Sequence, residues 1–428
     1  MSIFHCSLRS CWSIASILIG TDPLLWGQEG ISSPDYFEER TKLTDAVYDP
    51  DIHTVQLFKE GFELSAPIIE LNGDERLVLR FDDMGAHTRD LSYTLEHCTA
   101  DWQLSDVSKG LYLNGAFSDL IPAPRQSFNT FRPFFHYTVA IPNNFIRPSR
   151  SGNYILKVFE DGDEEHVILT RRLMVMERTV QVDARVVASR NVEVRNIAHQ
   201  VDLNIMHAGV VVQDPFSDIH VTVLQNMNWS DARTGLKPKF VRNNELIYDH
   251  PPEAEFMGGN EFRNFDLKNL RYVTQFVSSI IDGPELMESI LVPQPSRNIR
   301  VYFDQPDLNG RYLVRNDDVD GDPLGADYTY VHFSLAMDEP LQNGQVYVFG
   351  GLSDMSCKKG MRMTWDDEYD RYYLRTPLKQ GFYDYVYAFV PDGADVPDLT
   401  RLEGSHFQTE NDYVILVYLT DHQLRTDR

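Results

Sequence analysis

The densest chemistry in the chain lies in Ser92–Asp106, SYTLEHCTADWQLSD. His97 beside Cys98, with Asp101 nearby, is the residue set of a thiolate nucleophile, its base and an orienting carboxylate. Tyr93-Thr94-Leu95 alternates as a strand, however. Adjacent strand residues point to opposite faces, so His97 and Cys98 diverge if both belong to it. That favours a structural histidine and a buried thiol. Cys98–Ser105 then carries turn-forming residues around one large anchor, Trp102. Burial of that indole removes a large apolar area from water and can fix a loop onto a β-domain.

Two other stretches have residue types that bind ligands. In NDDVDGDPLGAD, Asn316, Asp318, Asp320, Gly321 and Asp327 occupy positions 1, 3, 5, 6 and 12 of a calcium-loop pattern. Against it, the flanks read as strands, Pro323 replaces an apolar residue, and the last ligand is Asp rather than Glu. A solvated interdomain linker competes with the calcium reading, and the expectation is no metal and no cofactor. Tyr383, Tyr385 and Tyr387 alternate onto one face, which suits either a glycan-stacking platform or a packing ladder; sheets use the ladder more often. The chain has no Gly-x-Ser-x-Gly, His-Glu-x-x-His, phosphate loop or dinucleotide fingerprint. Carboxylates are abundant, but nothing selects a glycosidase pair.

These residues sit in a chain of 428, enough for two to four domains at roughly 150 residues each. The formal net charge of −25 argues against nucleic acid and against an anionic membrane surface as partners. Arg9, the apolar run Cys11–Gly20 and Leu24-Leu25-Trp26-Gly27 read as a secretory signal peptide over 1–27. The run is too short for a spanning helix, which needs about 20 residues, and no later stretch is long enough. Beyond it two cysteines remain, Cys98 and Cys357, expected as buried free thiols, with a disulfide as the alternative in an oxidising compartment.

After an N-terminal segment, 28–44, the pattern is all-β. Short alternating strands such as Leu77–Phe81, Tyr137–Ile141 and Tyr154–Phe159 are punctuated by turns, and 107–133 is irregular. Further strands are expected at Val180–Val186, Val201–Ile205, Ile219–Val223 and Ile299–Phe303, then from Val331–Leu335 to a last one near Asn411–Tyr418. Leu267–Ile281 fits a helical face on Leu270, Val273, Phe276, Val277 and Ile280, but its β-branched content favours a strand. The fold class is tandem immunoglobulin-like β-sandwich domains, three in number: 45–178, 179–322 and 323–428. An acidic, exported β-protein without a visible active site suggests a binding or assembly role. A glycan-binding protein using the Tyr383 face, or a hydrolase around Cys98, are the alternatives.

The chain also resembles a known family. Thr54-Val55-Gln56-Leu57, Phe81-Asp82-Asp83, His97–Asp106, Ser127-Phe128-Asn129-Thr130, Ser151-Gly152-Asn153-Tyr154, Gln225-Asn226, Gly258–Arg263, Leu378–Tyr383 and Val414–Tyr418 are similar, in order and spacing, to the plug proteins of the type IX secretion system of Bacteroidetes. Thr99 departs from the pattern, where Asn or Asp is more typical. The resemblance implies a non-enzymatic periplasmic protein at the inner face of the outer membrane, without small-molecule substrate and not membrane-spanning. Its partner would be a very large outer-membrane translocon barrel, sealed at rest in alternation with a shuttle protein at the barrel's lateral opening. The family supplies no catalytic residues. An acidic plug would be steered onto a basic rim.

Overall fold

The computed structural model describes residues 43–249, 251–319, 321–423 and 426–428. The expected signal peptide, Cys6 and Cys11 fall outside the described residues, as does nearly all of the segment 28–44. Strands dominate, and the α-helices among the described residues are single turns of four residues.

Alternating apolar residues place strands Leu77–Asp83 and Phe135–Ile141 in one sheet, and Leu91–Cys98, Gly152–Glu160 and Val167–Met176 in the sheet facing it. Leu79, Phe81 and Val139 from the first sheet meet Leu95, Leu156 and Leu173 from the second in one core. A second core joins Val201, Leu203 and Ile205 to Val221, Val223 and Phe256. A third joins Phe265, Val277 and Leu291 to Val331, Phe333, Tyr383 and Tyr385. Each core lies between two sheets, the arrangement of a β-sandwich. The three belong to one compact unit running to Arg428.

Three expectations change. The strand Tyr413–Asp421, which contains the expected Asn411–Tyr418 stretch from Tyr413 on, does not pair within the third sandwich. It runs antiparallel to Ile219–Gln225, with Ile219 opposite Leu419 and Gln225 opposite Tyr413, and turns Ile415 and Val417 into the second core. Within Leu267–Ile281 only Val277–Ile281 is strand, and the residues before it are not helical. Ile299–Phe303 is not a strand: its backbone turns through a hydrogen bond from Arg300 to the Arg297 carbonyl. Tyr302 holds it from behind by donating to Glu261 at 2.6 Å. Among the described residues no strand pairs with it, and the arm turns Ile299 (92% exposed), Val301 (90%) and Phe303 (75%) to solvent.

Candidate functional site

His97 and Cys98 end the strand Leu91–Cys98 and leave it on opposite faces. The His97 ring is buried edge-on against Tyr154, with centroids 5.0 Å apart. Its Nε2 donates to the Ser151 carbonyl at 3.3 Å, which leaves Nδ1, 3.0 Å from Ser105 Oγ, to accept. Burial lowers its pKa. Gly152 is required here: at φ +134°, a Cβ would stand 2.5 Å from His97 Nε2. On the other face Cys98 packs with Trp102, Ile155 and Met174, and burial pushes its thiol up to about 12. Cys357, also free, is likewise raised to about 12 by burial. Neither thiol has the lowered pKa of an activated nucleophile. Asp101 is exposed on the loop. The sequence-adjacent triad is therefore not an assembled site.

What the loop builds instead is a junction. Trp102, buried at φ +57°, meets Trp229 of the second sandwich edge-on at 5.0 Å. The Arg172 guanidinium lies over both rings, 4.3 and 4.8 Å from their centroids. Asn153 donates to the Thr99 carbonyl at 3.0 Å and accepts from Tyr418 at 3.0 Å, while Asp427 accepts from the Ala100 amide at 2.9 Å. The loop of the first sandwich is thus tied to the last strand of the second.

A second junction is ionic. Asp82, buried at the end of strand Leu77–Asp83, accepts from Lys379 and from Tyr328 on one oxygen, each at 2.6 Å, and from His136 on the other at 2.6 Å. Thr54 donates to the Tyr328 hydroxyl at 2.6 Å. Lys379 also lies 3.9 Å from the centroid of Phe134. Burial alone would raise the Asp82 pKa; Lys379 and His136 overcome it and hold the carboxyl below its ordinary value. Burial pulls Lys379 below its own ordinary value, but its ammonium faces both a carboxylate and a ring, so we take the pair as ionised. Asp82, His136 and Thr54 come from the first sandwich, Tyr328 and Lys379 from the third.

A third cluster centres on Glu403. Its carboxylate accepts from Arg263 at 2.9 Å, from Arg297 at 2.7 Å and from the Tyr387 amide at 2.8 Å. Beside it the second and third sandwiches join through Gly258, where a Cβ would lie 2.1 Å from the His406 carbonyl oxygen. Asn411 donates to the Gly258 carbonyl at 2.8 Å, and Asn226 bonds Asn411 and the Asp412 amide.

Tyr383, Tyr385 and Tyr387 do share a face, but it is the inner one. All three are buried, with Tyr383 stacked between Phe265 and Tyr312 at 5.3 and 5.2 Å. Of the two readings of this face the packing ladder is the one that holds, because this strand lies mid-sheet with its rings in the third core.

The acidic loop gathers only part of its candidates. Asn316 accepts from the Asp318 amide at 2.9 Å and donates to the Gly325 carbonyl at 2.7 Å; Asp318 faces Asn269 and Arg271. Asp327 turns away, accepting from the amides of Phe131 at 2.7 Å and Tyr328 at 2.9 Å. Asp320 lies outside the described residues. Among the described residues, no group of three His, Cys, Asp or Glu is placed to hold a metal ion.

Asp327 instead braces the loop that carries Phe128 (78% exposed) and Phe131 (67%). In the sequence Phe128 stands out only as part of the mark Ser127–Thr130, and Phe131 not at all; neither ring is assigned a role. The signal available was two phenylalanines among polar and turn-forming neighbours, with no alternation to bury them.

Three comparisons place this geometry among known proteins. Residues 52–177 match the family model described as type 9 secretion system plug protein 1st domain. No curated protein matches the chain. Among solved structures, a hypothetical protein from Parabacteroides merdae ATCC 43184 is 30% identical, with a TM-score of 0.87 over 90% of this chain and 97% of that one. An alkylpurine DNA glycosylase from Pseudomonas fluorescens (8% identity, TM-score 0.18, 29% and 30% covered) is too unlike it in structure to bear on the argument. So is the E. coli alpha-2-macroglobulin in its native conformation (9%, 0.17, 89% and 22%).

Proposed function

The chain belongs to the plug-protein family of the type 9 secretion system, and on that premise we propose that it covers and reversibly seals the periplasmic end of that system's large outer-membrane barrel. The match over residues 52–177 carries the reading. The family is non-catalytic and structural, and implies association with a secretion-system barrel. The rest of the proposal concerns how that association works. A pore wide enough for folded cargo would leak periplasm, so its inner end needs a removable cover. Such a cover must keep its shape while its partner comes and goes. The indole, ionic and glycine junctions between the sandwiches support that requirement, because bistable or floppy joints would let the pore leak. Removability calls for an interface of moderate area with a polar rim rather than an obligate apolar one. A net charge of −25 favours approach to a basic rim. The place of action is the periplasm, against the inner face of the outer membrane.

The test is affinity purification of the tagged chain from detergent-solubilised envelopes of its host, with mass spectrometry of the eluate. The expected result is co-recovery of one very large outer-membrane β-barrel. An eluate without that barrel, from detergent that leaves the translocon intact, contradicts the reading.

A further inference from the structure

We propose that the loop Ser127–Phe134 is the docking tip of this protein, and that Phe128 and Phe131 enter apolar recesses on the periplasmic rim of the barrel. The inference rests on the plug reading and deepens it by naming the surface that makes the contact.

Two observations set this loop apart. The first is exposure without disorder of the backbone that carries it. Phe128 and Phe131 stand 78% and 67% exposed, yet the loop is closed on itself. Ser127 donates its amide to the Phe134 carbonyl at 2.9 Å, and its hydroxyl accepts from the Phe134 amide at 3.0 Å and pairs with Thr130 at 2.9 Å. Asn129 takes the left-handed conformation, φ +56°, that completes the turn. The second is bracing from another sandwich. The Phe128 amide donates to the Leu324 carbonyl at 3.1 Å and the Phe131 amide to Asp327 at 2.7 Å. At the base, buried Phe134 packs edge-on against Tyr328 at 5.7 Å and under Lys379, inside the ionic junction.

Aromatic side chains carried on a backbone already fixed lose less freedom on binding than those of a floppy loop, which suits an interface anchor. The arm at Ile299–Phe303 is more exposed, but it lies outside the matched residues 52–177. The occupant follows from the family and the charge. The family implies a barrel partner. A chain of net charge −25 repels both an anionic lipid surface and a second copy of itself.

The test compares tagged full-length wild type, Phe128→Ser/Phe131→Ser, and the control Ile299→Ser/Val301→Ser. The readouts are barrel recovered per bait from host envelopes and the melting midpoint of each purified protein. The expected result is at least a tenfold loss of barrel for the Phe128/Phe131 variant at unchanged melting, with the control at the wild-type level. Wild-type recovery by the Phe128/Phe131 variant overturns the proposal while leaving the plug reading intact; absence of barrel from the wild-type sample removes both. If the double variant melts lower, Phe128→Ser alone carries the test, with at least a threefold loss expected and full recovery overturning the proposal. Wild type that sediments as a dimer, and a variant that loses the dimer but keeps the barrel, would assign the tip to self-association and also overturn it.

Discussion

Lys379→Met is expected to destabilise the folded protein by about 3–5 kcal/mol, the cost of leaving a buried charge without its partner. The substitution keeps most of the side-chain volume and removes the ammonium 2.6 Å from Asp82. Asp82 would retain His136 and Tyr328, which are not enough to hold a carboxylate that is 1% exposed. The double variant Asp82→Asn/Lys379→Met separates charge from packing. It carries no orphaned ion, so it should be more stable than Lys379→Met alone although it has one more substitution, a coupling visible only in a double-mutant cycle. The acid side gives the same sign. In the wild type the Asp82 pKa is lowered, so its contribution is present above the ordinary carboxylate range and fades as pH falls through the folded value. The penalty of Lys379→Met should therefore shrink toward low pH, where Asp82 can take a proton. Urea unfolding followed by tryptophan fluorescence at several pH values reads all three effects. Simple additivity of the two substitutions would mean that packing, not charge, carries the junction.

The second large effect belongs to Glu403. Glu403→Gln leaves Arg263, itself 3% exposed, without its carboxylate and strips one bond from Arg297. A loss of about 3–5 kcal/mol near neutral pH is expected. Burial would raise the pKa of Glu403, but Arg263 and Arg297 bring it from 4.5 down to about 2. At ~1.4 kcal/mol per pKa unit the carboxylate contributes about 3 kcal/mol that is complete above pH 5 and lost as pH falls toward 2. The stability gap between wild type and Glu403→Gln should accordingly close across that interval. Thermal melts of both proteins at pH 6, 5, 4 and 3 check it; curves that stay parallel to pH 3 would mean Glu403 is not the titrating support of this cluster.

The sandwiches were legible because their strands alternate. Tyr154, Leu156 and Val158, and likewise Tyr383, Tyr385 and Tyr387, recur at every second position, the side-chain period of a strand. Trp102 was legible as an anchor because a lone indole between polar turn residues has few ways to leave water. What held the molecule together was not legible. Asp82 finds Tyr328 and Lys379 across 246 and 297 residues, and no local pattern announces a pairing at that distance. The same blindness hid the partner of Tyr413–Asp421, whose continuous apolar, β-branched run says that it is a strand but not which sheet it completes. Ile299–Phe303 misled for the converse reason: its alternation is that of a strand, yet Tyr302 and the turn at Arg297–Arg300 hold it off the ladders of the described residues. The family marks were informative beyond what any one of them explained. Thr54, Asp82 and Lys379 meet at one junction, and Trp102, Asn153 and Tyr418 at another.

The most direct measurement of the account is electrical. The barrel that co-purifies with this chain would be reconstituted into a planar lipid bilayer and its current recorded before and after the purified chain is added to the periplasmic side. The account predicts a fall of the open-pore current to near baseline, reversed when the chain is washed out. A barrel that binds the chain and conducts undiminished would contradict it.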